Sequence, residues 1–249
     1  DDPLPVFACP ALPRLGRRVR DGHLEGAAVA EPIAIAPRLG RKALIPDVAT
    51  AADLDRALPA DPGACLLVGA AGLAEALAAR LCPGAEPRPA APLAAPLVLA
   101  IGSRDPVTLA QVGALAPLCP VAAPDGDLPA AAPGGAPVEI LQATDGGGAL
   151  APAEVAERFA GGVAARLRAR PPAALLASGG ETGAAILAAI GCGLLQVEGE
   201  LAAGIPVSRC LDGLPGLRLA TKSGGFGGPD ALRALLPFGV TTRAASPRG

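Results

Sequence analysis

The stretch LRLATKSGGFGGPDALRALL, residues 217–236, is the most informative part of this chain. It begins with apolar, strand-like residues, continues into a glycine turn at residues 223–228, and enters a segment with helical spacing after Pro229 and Asp230. A turn between a strand and a helix N-terminus exposes backbone N–H groups that bind anions. Lys222 adds a compact positive charge that suits a phosphate. The stretch therefore predicts a phosphate-binding loop.

A second glycine turn, SGGETG at residues 178–183, has the same architecture. An apolar strand at residues 173–177 precedes it, and a segment with helical spacing follows it at residues 182–190. Glu181 offers carboxylate oxygens, which suit a magnesium ion that bridges phosphates. Together the two turns predict nucleotide binding. The alternative is that both are tight structural turns and that Glu181 and Lys222 are only solvated.

Hydroxyl side chains follow the predicted strands as well. We expect Ser178 or Thr182 to cap the helix after the second turn. Ser103 follows an apolar strand at residues 97–101 in the same way. Taken alone, a serine in this position is more often a helix cap or a turn hydroxyl than a ligand contact.

The chain alternates strands and helices, which predicts an α/β fold with parallel strands and crossover helices. Residues 83–96 are rich in proline, which removes hydrogen-bond donors and fixes the backbone, so a domain boundary is predicted there. The strands are predicted at residues 43–47, 65–68, 97–101, 138–142, 173–177 and 217–220, and the helices at residues 50–58, 73–81, 109–115, 154–168 and 182–190.

The overall composition narrows the class of protein. At 249 residues the chain can bury a real core and is long enough for two domains. Its 21 Lys and Arg nearly balance its 23 Asp and Glu, which argues against a nucleic-acid partner. No apolar run approaches the roughly 20 residues that span a bilayer, and the N-terminus lacks the pattern of a signal peptide. The sequence therefore predicts a soluble, cytoplasmic protein with no membrane partner.

The six cysteines do not have the spacing of a metal site. They are scattered without a Cys-x-x-Cys pair, and the chain has only one histidine. Most of them are expected to be small, buried hydrophobic side chains.

Taken in order, these segments resemble the four-carbon acid sugar kinase family, ATP-dependent enzymes that phosphorylate threonate, erythronate or oxo-tetronate type acids. The resemblance covers nearly the whole chain, and its last three segments are the specific ones. The matching segments are residues 10–13 with Gly16, Arg17, Asp21 and Gly22; Asp47, Thr50, Asp53 and Leu54; residues 69–74; Gly102 and Ser103 with residues 106–108 and Gln111; residues 178–182; residues 204–206; and residues 221–227.

The resemblance implies a fold and a set of contacts. The fold is α/β, with an incomplete Rossmann-like N-terminal domain built on a parallel sheet and a larger α/β domain with a mixed sheet. Residues 1–82 would be a remnant of the sugar-acid-binding domain, residues 83–96 a linker, and residues 97–249 the nucleotide-binding domain. ATP and Mg²⁺ would be the cofactors. From the residues themselves, Glu181 could hold the Mg²⁺ and Arg17 could pair with the sugar-acid carboxylate, although an exposed arginine on a loop is the commoner outcome. The implied ATP contacts are Ser103, Gly179, Gly180, Glu181, Thr182, Lys222, Gly224 and Gly225.

The sequence departs from the family pattern at its start. Family members begin with an Asp-Asp-x-Thr-Gly-Ala segment, whereas Asp1 and Asp2 are followed here by Pro-Leu-Pro. The first part of the N-terminal domain is therefore expected to be missing, and the catalytic base is unassigned. Asp47 is one candidate, and an ordinary aspartate at a strand end is the alternative. Three functions stay open: an active sugar-acid kinase, a catalytically incomplete nucleotide-binding protein, and a purely structural fold. Homo-oligomerisation also stays open.

Overall fold

A computed structural model describes residues 4–27, 29–39, 42–85, 89–115, 118–131 and 135–237. The chain divides between Glu86 and Pro87 into two compact units, called here the first and the second unit. Within the described residues, no helix is long and apolar enough to cross a bilayer.

The first unit contains two small sheets. A parallel sheet has the order β5-β1-β6, and an antiparallel sheet has the order β2-β3-β4. The elements are β1 (Val6–Cys9), β2 (Arg17–Arg20), β3 (His23–Gly26), β4 (Ile33–Ala34), α1 (Ala36–Leu39), β5 (Ala43–Leu44), α2 (Ala51–Ala57), β6 (Leu66–Gly69) and α3 (Ala71–Leu81), with 3-10 turns at Pro13–Leu15 and Pro62–Ala64.

Local signals in the sequence explain much of this unit. Helix α2 begins after Thr50, whose side chain accepts from the Asp53 N–H while the Asp53 carboxylate accepts from the Thr50 N–H, so a capping box defines its start. Strand β5 ends at Leu44, earlier than predicted, because Pro46 follows closely and cannot donate to a sheet. Strand β1 and the antiparallel sheet were not predicted.

The second unit is built on one seven-stranded mixed sheet with the order β11-β12-β13-β10-β7-β9-β8. The five strands from β13 to β8 are parallel, whereas β12 pairs antiparallel with β13 and β11 pairs antiparallel with β12. The predicted fold class, a parallel sheet followed by a larger mixed sheet, is confirmed. The elements are β7 (Leu97–Ile101), α4 (Pro106–Gly113), β8 (Val121–Pro124), β9 (Val138–Thr144), α5 (Pro152–Ala169), β10 (Ala174–Ser178), α6 (Gly180–Ile190), β11 (Leu195–Ala202), β12 (Ile205–Cys210), β13 (Arg218–Lys222) and α7 (Ala231–Ala234).

Helices cover this sheet on both faces. On one face, α5 and α6 pack over the sheet with Phe159 and Ile186. On the other face, α4 and α7 contribute Val112 and Leu232. All five residues of the central strand β10 are buried, as expected for a parallel strand covered on both sides. Because side chains alternate along a strand, neighbouring residues of β10 or β13 point to different helical layers.

Part of the proline-rich stretch belongs to the second unit. The Ala90 N–H donates to the Glu200 carbonyl at 2.9 Å. The Arg218 guanidinium donates to the carbonyls of Ala91 and Pro92 at 2.8 and 2.9 Å, and Leu93 is buried in the core. These contacts fix residues 90–93 against the mixed sheet.

Candidate functional site

Three parallel strands of the second unit end side by side. Ser178, the last residue of β10, pairs with Lys222 at the end of β13 and with Ile101 at the end of β7. The loops that follow therefore leave the same edge of the sheet. In open α/β sheets, the carboxyl ends of the strands are where ligands bind.

Backbone hydrogen bonds join these loops to one another. The Gly179 N–H donates to the Lys222 carbonyl at 2.9 Å. The N–H groups of Gly102 and Ser103 both donate to the Ser178 carbonyl, at 3.2 and 3.1 Å. The two glycine turns singled out in the sequence are thus neighbours, with the Ser103 loop beside them.

The turn after β10 is shaped by its glycine. Gly179 has φ +112° and precedes the first residue of α6, without a side-chain cap. The predicted cap at Ser178 or Thr182 was wrong, because α6 begins at Gly180, and this places Thr182 inside the first turn. Within the described residues, the N–H groups of Gly180, Glu181 and Thr182 have no protein acceptor, as is usual for a helix start.

A cleft of about 530 Å³ opens beside this helix start. One side is polar and includes the ends of β7 and β9, and the other is an apolar wall supplied mainly by α5. The size is typical of a small-molecule site. The lining residues are Gly102, Ser103, Arg104, Asp125, Ala143, Thr144, Asp145, Gly148, Leu150, Pro152, Val155, Ala156, Phe159, Gly179, Gly180, Glu181 and Thr182.

The predicted ATP contacts fall into two groups. Five of them line the cleft: Ser103, Gly179, Gly180, Glu181 and Thr182. Lys222, Gly224 and Gly225 do not line the cleft but lie in the neighbouring loop. That loop approaches the cleft closely, because a Cβ atom added at Gly224 would collide with Ser103 Oγ.

Lys222, which the sequence predicts to be a phosphate contact, is buried. Its side chain is 1% exposed, and Nζ lies 3.0 Å from the Ser223 carbonyl oxygen and 3.3 Å from that of Gly224. Burial lowers the pKa of this ammonium below its usual value, and the Asp105 carboxylate partly opposes that shift. Alternation along β13 explains the direction of the side chain, since Thr221 lies against α6 and Lys222 points to the opposite layer.

The sequence interpretation overlooked the acidic end of the cleft. Asp125, in a left-handed turn with φ +49°, accepts from the N–H groups of Gly146 and Gly148, both at 3.0 Å. Asp145 follows strand β9 at the same place. The sequence signal was the run Asp-Gly-Gly-Gly at residues 145–148, which follows a predicted strand as the other two glycine turns do.

Arg17, predicted to bind the sugar-acid carboxylate, and Asp47, a candidate for the catalytic base, both lie in the first unit. Arg17 is half-buried in the antiparallel sheet and exchanges backbone hydrogen bonds with Leu12 at 3.0 and 3.2 Å. One Asp47 carboxylate oxygen accepts from the Asp21 N–H at 2.8 Å and so holds a turn. The role of Arg17 stays a prediction.

One family model matches a stretch of the chain that lies within the second unit. Residues 135–232, which include both glycine turns up to α7, match the family model of the nucleotide-binding C-terminal domain. A 3-oxo-tetronate kinase from Cupriavidus necator is 46% identical over 77 residues, which is 29% of this chain and 18% of the relative. A D-threonate kinase from the same organism is 47% identical over 60 residues, 23% of this chain and 14% of the relative.

A third relative matches a larger share of this chain than the two Cupriavidus necator kinases do. The 3-oxo-tetronate kinase from Burkholderia multivorans is 37% identical over 103 residues, 40% of this chain and 24% of the relative. The resemblance to the four-carbon acid sugar kinases is confirmed over part of the chain. The matched stretches span at most 24% of the length of these three kinases.

Solved structures support the fold. A Salmonella typhimurium LT2 protein with a provisional tRNA synthase description has a TM-score of 0.69 and 19% identity, covering 94% of this chain and 73% of its own. A Haemophilus influenzae protein of the DUF1537 family has a TM-score of 0.57 and 17% identity, covering 92% and 73%. At these identities the likeness concerns the fold alone.

Proposed function

We propose that this chain binds ATP in the cleft of the second unit and takes part in transferring its terminal phosphoryl group to a four-carbon sugar acid. The observation that carries the proposal is the meeting of three loops at one sheet edge, joined by the hydrogen bonds of Gly179, Gly102 and Ser103. The named kinase relatives and the nucleotide-binding domain model support the same reading.

The cleft has separate regions for the parts of a nucleotide. The apolar wall around Val155 and Phe159 suits a base. The start of α6 suits phosphates, because its unpaired N–H groups and the helix dipole both favour negative charge. Ser103 and Thr182 add hydroxyl groups beside that helix start.

The residues present also fit a magnesium ion held jointly with the nucleotide. Glu181 lines the cleft next to the helix start and supplies carboxylate oxygens. Within the described part of the chain, no group of three or more His, Cys, Asp or Glu side chains could hold a metal by itself. Mg²⁺ in nucleotide enzymes is commonly held by one or two carboxylates and the phosphates, and there it neutralises charge on the transferring group.

The first test is whether the start of α6 holds the phosphates. Gly180→Asp places a carboxylate at an open, exposed helix start, where it should repel phosphate while leaving the helix stable. Gly161→Asp is the matched control, because Gly161 is also an exposed, open position within a helix. Calorimetric titration of the 249-residue chain with ATP and Mg²⁺ should show loss of binding only for Gly180→Asp.

The second test concerns turnover. ADP release is measured after adding ATP, Mg²⁺ and a panel of threonate, erythronate and 3-oxo-tetronate type acids. ADP formation that depends on one of these acids supports the kinase. ATP binding without turnover would instead support a nucleotide-binding protein without catalysis, and no ATP binding by the unaltered chain would contradict the proposal altogether.

A further inference from the structure

The loop after β13, residues 223–228, turns its carbonyl groups inward onto buried donors. The Ser223 and Gly224 carbonyls lie 3.0 and 3.3 Å from Lys222 Nζ. Thr108 Oγ1, from α4, also donates to the Gly224 carbonyl at 2.7 Å. Thr108 is fully buried, so its hydroxyl group donates to the loop and has no access to solvent.

Gln111, one helical turn further along α4, holds the second half of the loop. Its Nε2 atom donates to the carbonyls of Phe226, Gly227 and Gly228 at 3.0, 3.2 and 2.8 Å. The side chain is fully buried. Leaving three carbonyl groups without this donor would be costly, so Gln111 fixes the course of the loop.

These inward carbonyls determine where the N–H groups point. A trans peptide group is planar, and its N–H points opposite to the preceding C=O. The N–H groups of Gly224, Gly225, Gly227 and Gly228 therefore point away from the buried donors. Within the described residues, none of these four N–H groups donates to a protein acceptor. Successive unpaired N–H groups of this kind bind anions.

The position of the loop indicates which anion would bind. Gly224 lies against Ser103, which lines the cleft next to the helix start proposed for the phosphates. The Asp105 carboxylate lies beside Gly225 and offsets the positive charge of Lys222. The attraction must therefore come from the amide N–H groups rather than from the ammonium.

We propose that Lys222 and Gln111 are positioning residues, which hold this loop from beneath so that its outward N–H groups bind the terminal phosphate of ATP. This inference rests on the nucleotide binding proposed above. It differs from a direct contact between Lys222 and phosphate, because the ammonium is buried and already faces two carbonyls.

The test compares ATP with ADP, which lacks the terminal phosphate. The full chain, Lys222→Met, Gln111→Leu and the control Lys42→Met are titrated with each nucleotide by calorimetry, and thermal melting checks that each variant is folded. Lys42 is the other lysine of the chain and is exposed. The unaltered chain should bind ATP at least about tenfold more tightly than ADP, since hydrogen bonds to a charged phosphate are strong.

In Lys222→Met and Gln111→Leu, ATP affinity should fall to that of ADP, while ADP affinity stays unchanged. Lys42→Met should change neither. An equal loss of both affinities, or no loss, would overturn the positioning role. Failure of the unaltered chain to bind either nucleotide would instead contradict the proposed function, and the inference with it.

A second measurement needs no substitution. In glycine-selective ¹⁵N NMR spectra of the full chain, the amide signals of Gly224, Gly225, Gly227 and Gly228 should shift with ATP and stay in place with ADP. If ATP binds and these signals do not move, the loop does not contact the terminal phosphate.

Discussion

The two glycine loops of the second unit differ in what shapes them. The turn after β10 is local, because one glycine with positive φ leads directly into α6, whose own geometry leaves N–H groups unpaired. The loop after β13 depends on Thr108 and Gln111, which lie 115 to 117 residues earlier in the chain. Two similar sequences thus expose N–H groups for different physical reasons, and substitutions should affect them differently.

The largest effect is expected at the glycine that shapes the local turn. In Gly179→Ala, the alanine backbone must adopt φ +112°, and the new Cβ atom would lie 2.9 Å from Thr182 Oγ1. We expect the free energy of unfolding, measured with urea, to fall by about 1–3 kcal/mol because of backbone strain and overpacking. Gly180→Ala is the control, since that position is helical and open. Equal stability of the two variants would contradict the assigned role of Gly179.

An effect of intermediate size is expected when the pH is raised. It concerns only the loop after β13 and changes both the free energy of unfolding and the preference for ATP over ADP. The pKa of Lys222 is lowered in the folded chain, so over a window below the usual lysine value the unfolded chain holds a proton that the folded chain has lost. Because the unfolded state then binds more protons, the contribution of Lys222 to the free energy of unfolding rises with pH in this window. The same deprotonation weakens the hydrogen bonds from Lys222 Nζ that hold the loop, so the preference for ATP over ADP should decline.

These opposite trends can be measured by urea unfolding and calorimetry between about pH 7 and about pH 10. The thiols and amines that titrate in the same range remain in Lys222→Met, so the difference in the free energy of unfolding between the unaltered chain and this variant isolates the contribution of Lys222. An ATP preference that declines equally in Lys222→Met would assign the effect to another group.

The smallest effect on stability is expected at the turn after β10. Glu181 is exposed in the first turn of α6, so Glu181→Gln should change the free energy of unfolding by no more than about 0.5 kcal/mol. The part of the ATP affinity that depends on Mg²⁺ should decrease, measured by titration with and without the metal. The exposed Glu157→Gln in α5 is the control, and an equal decrease there would exclude a specific role of Glu181.

Much of the second unit could be predicted because its signals are local. The strand at residues 97–101 and the helix around residues 154–168 follow from short apolar runs and regular spacing. Helix α4 begins at Pro106, earlier than predicted, because Asp105 caps it and proline suits the first helical position. The hairpin of β11 and β12 was missed, because the edge strand β11 has no buried residue and β12 mixes buried with exposed residues, so neither strand forms a continuous apolar run.

The sequence alone determined the α/β class, the resemblance to sugar-acid kinases and the strand-to-glycine junctions, because each depends on residues that are adjacent in the chain. Only the tertiary structure decided that Asp125 closes one end of the cleft and that Lys222 points beneath its loop. Both outcomes depend on which strands become neighbours and which helix covers each face of the sheet, and these contacts join residues that are far apart in sequence.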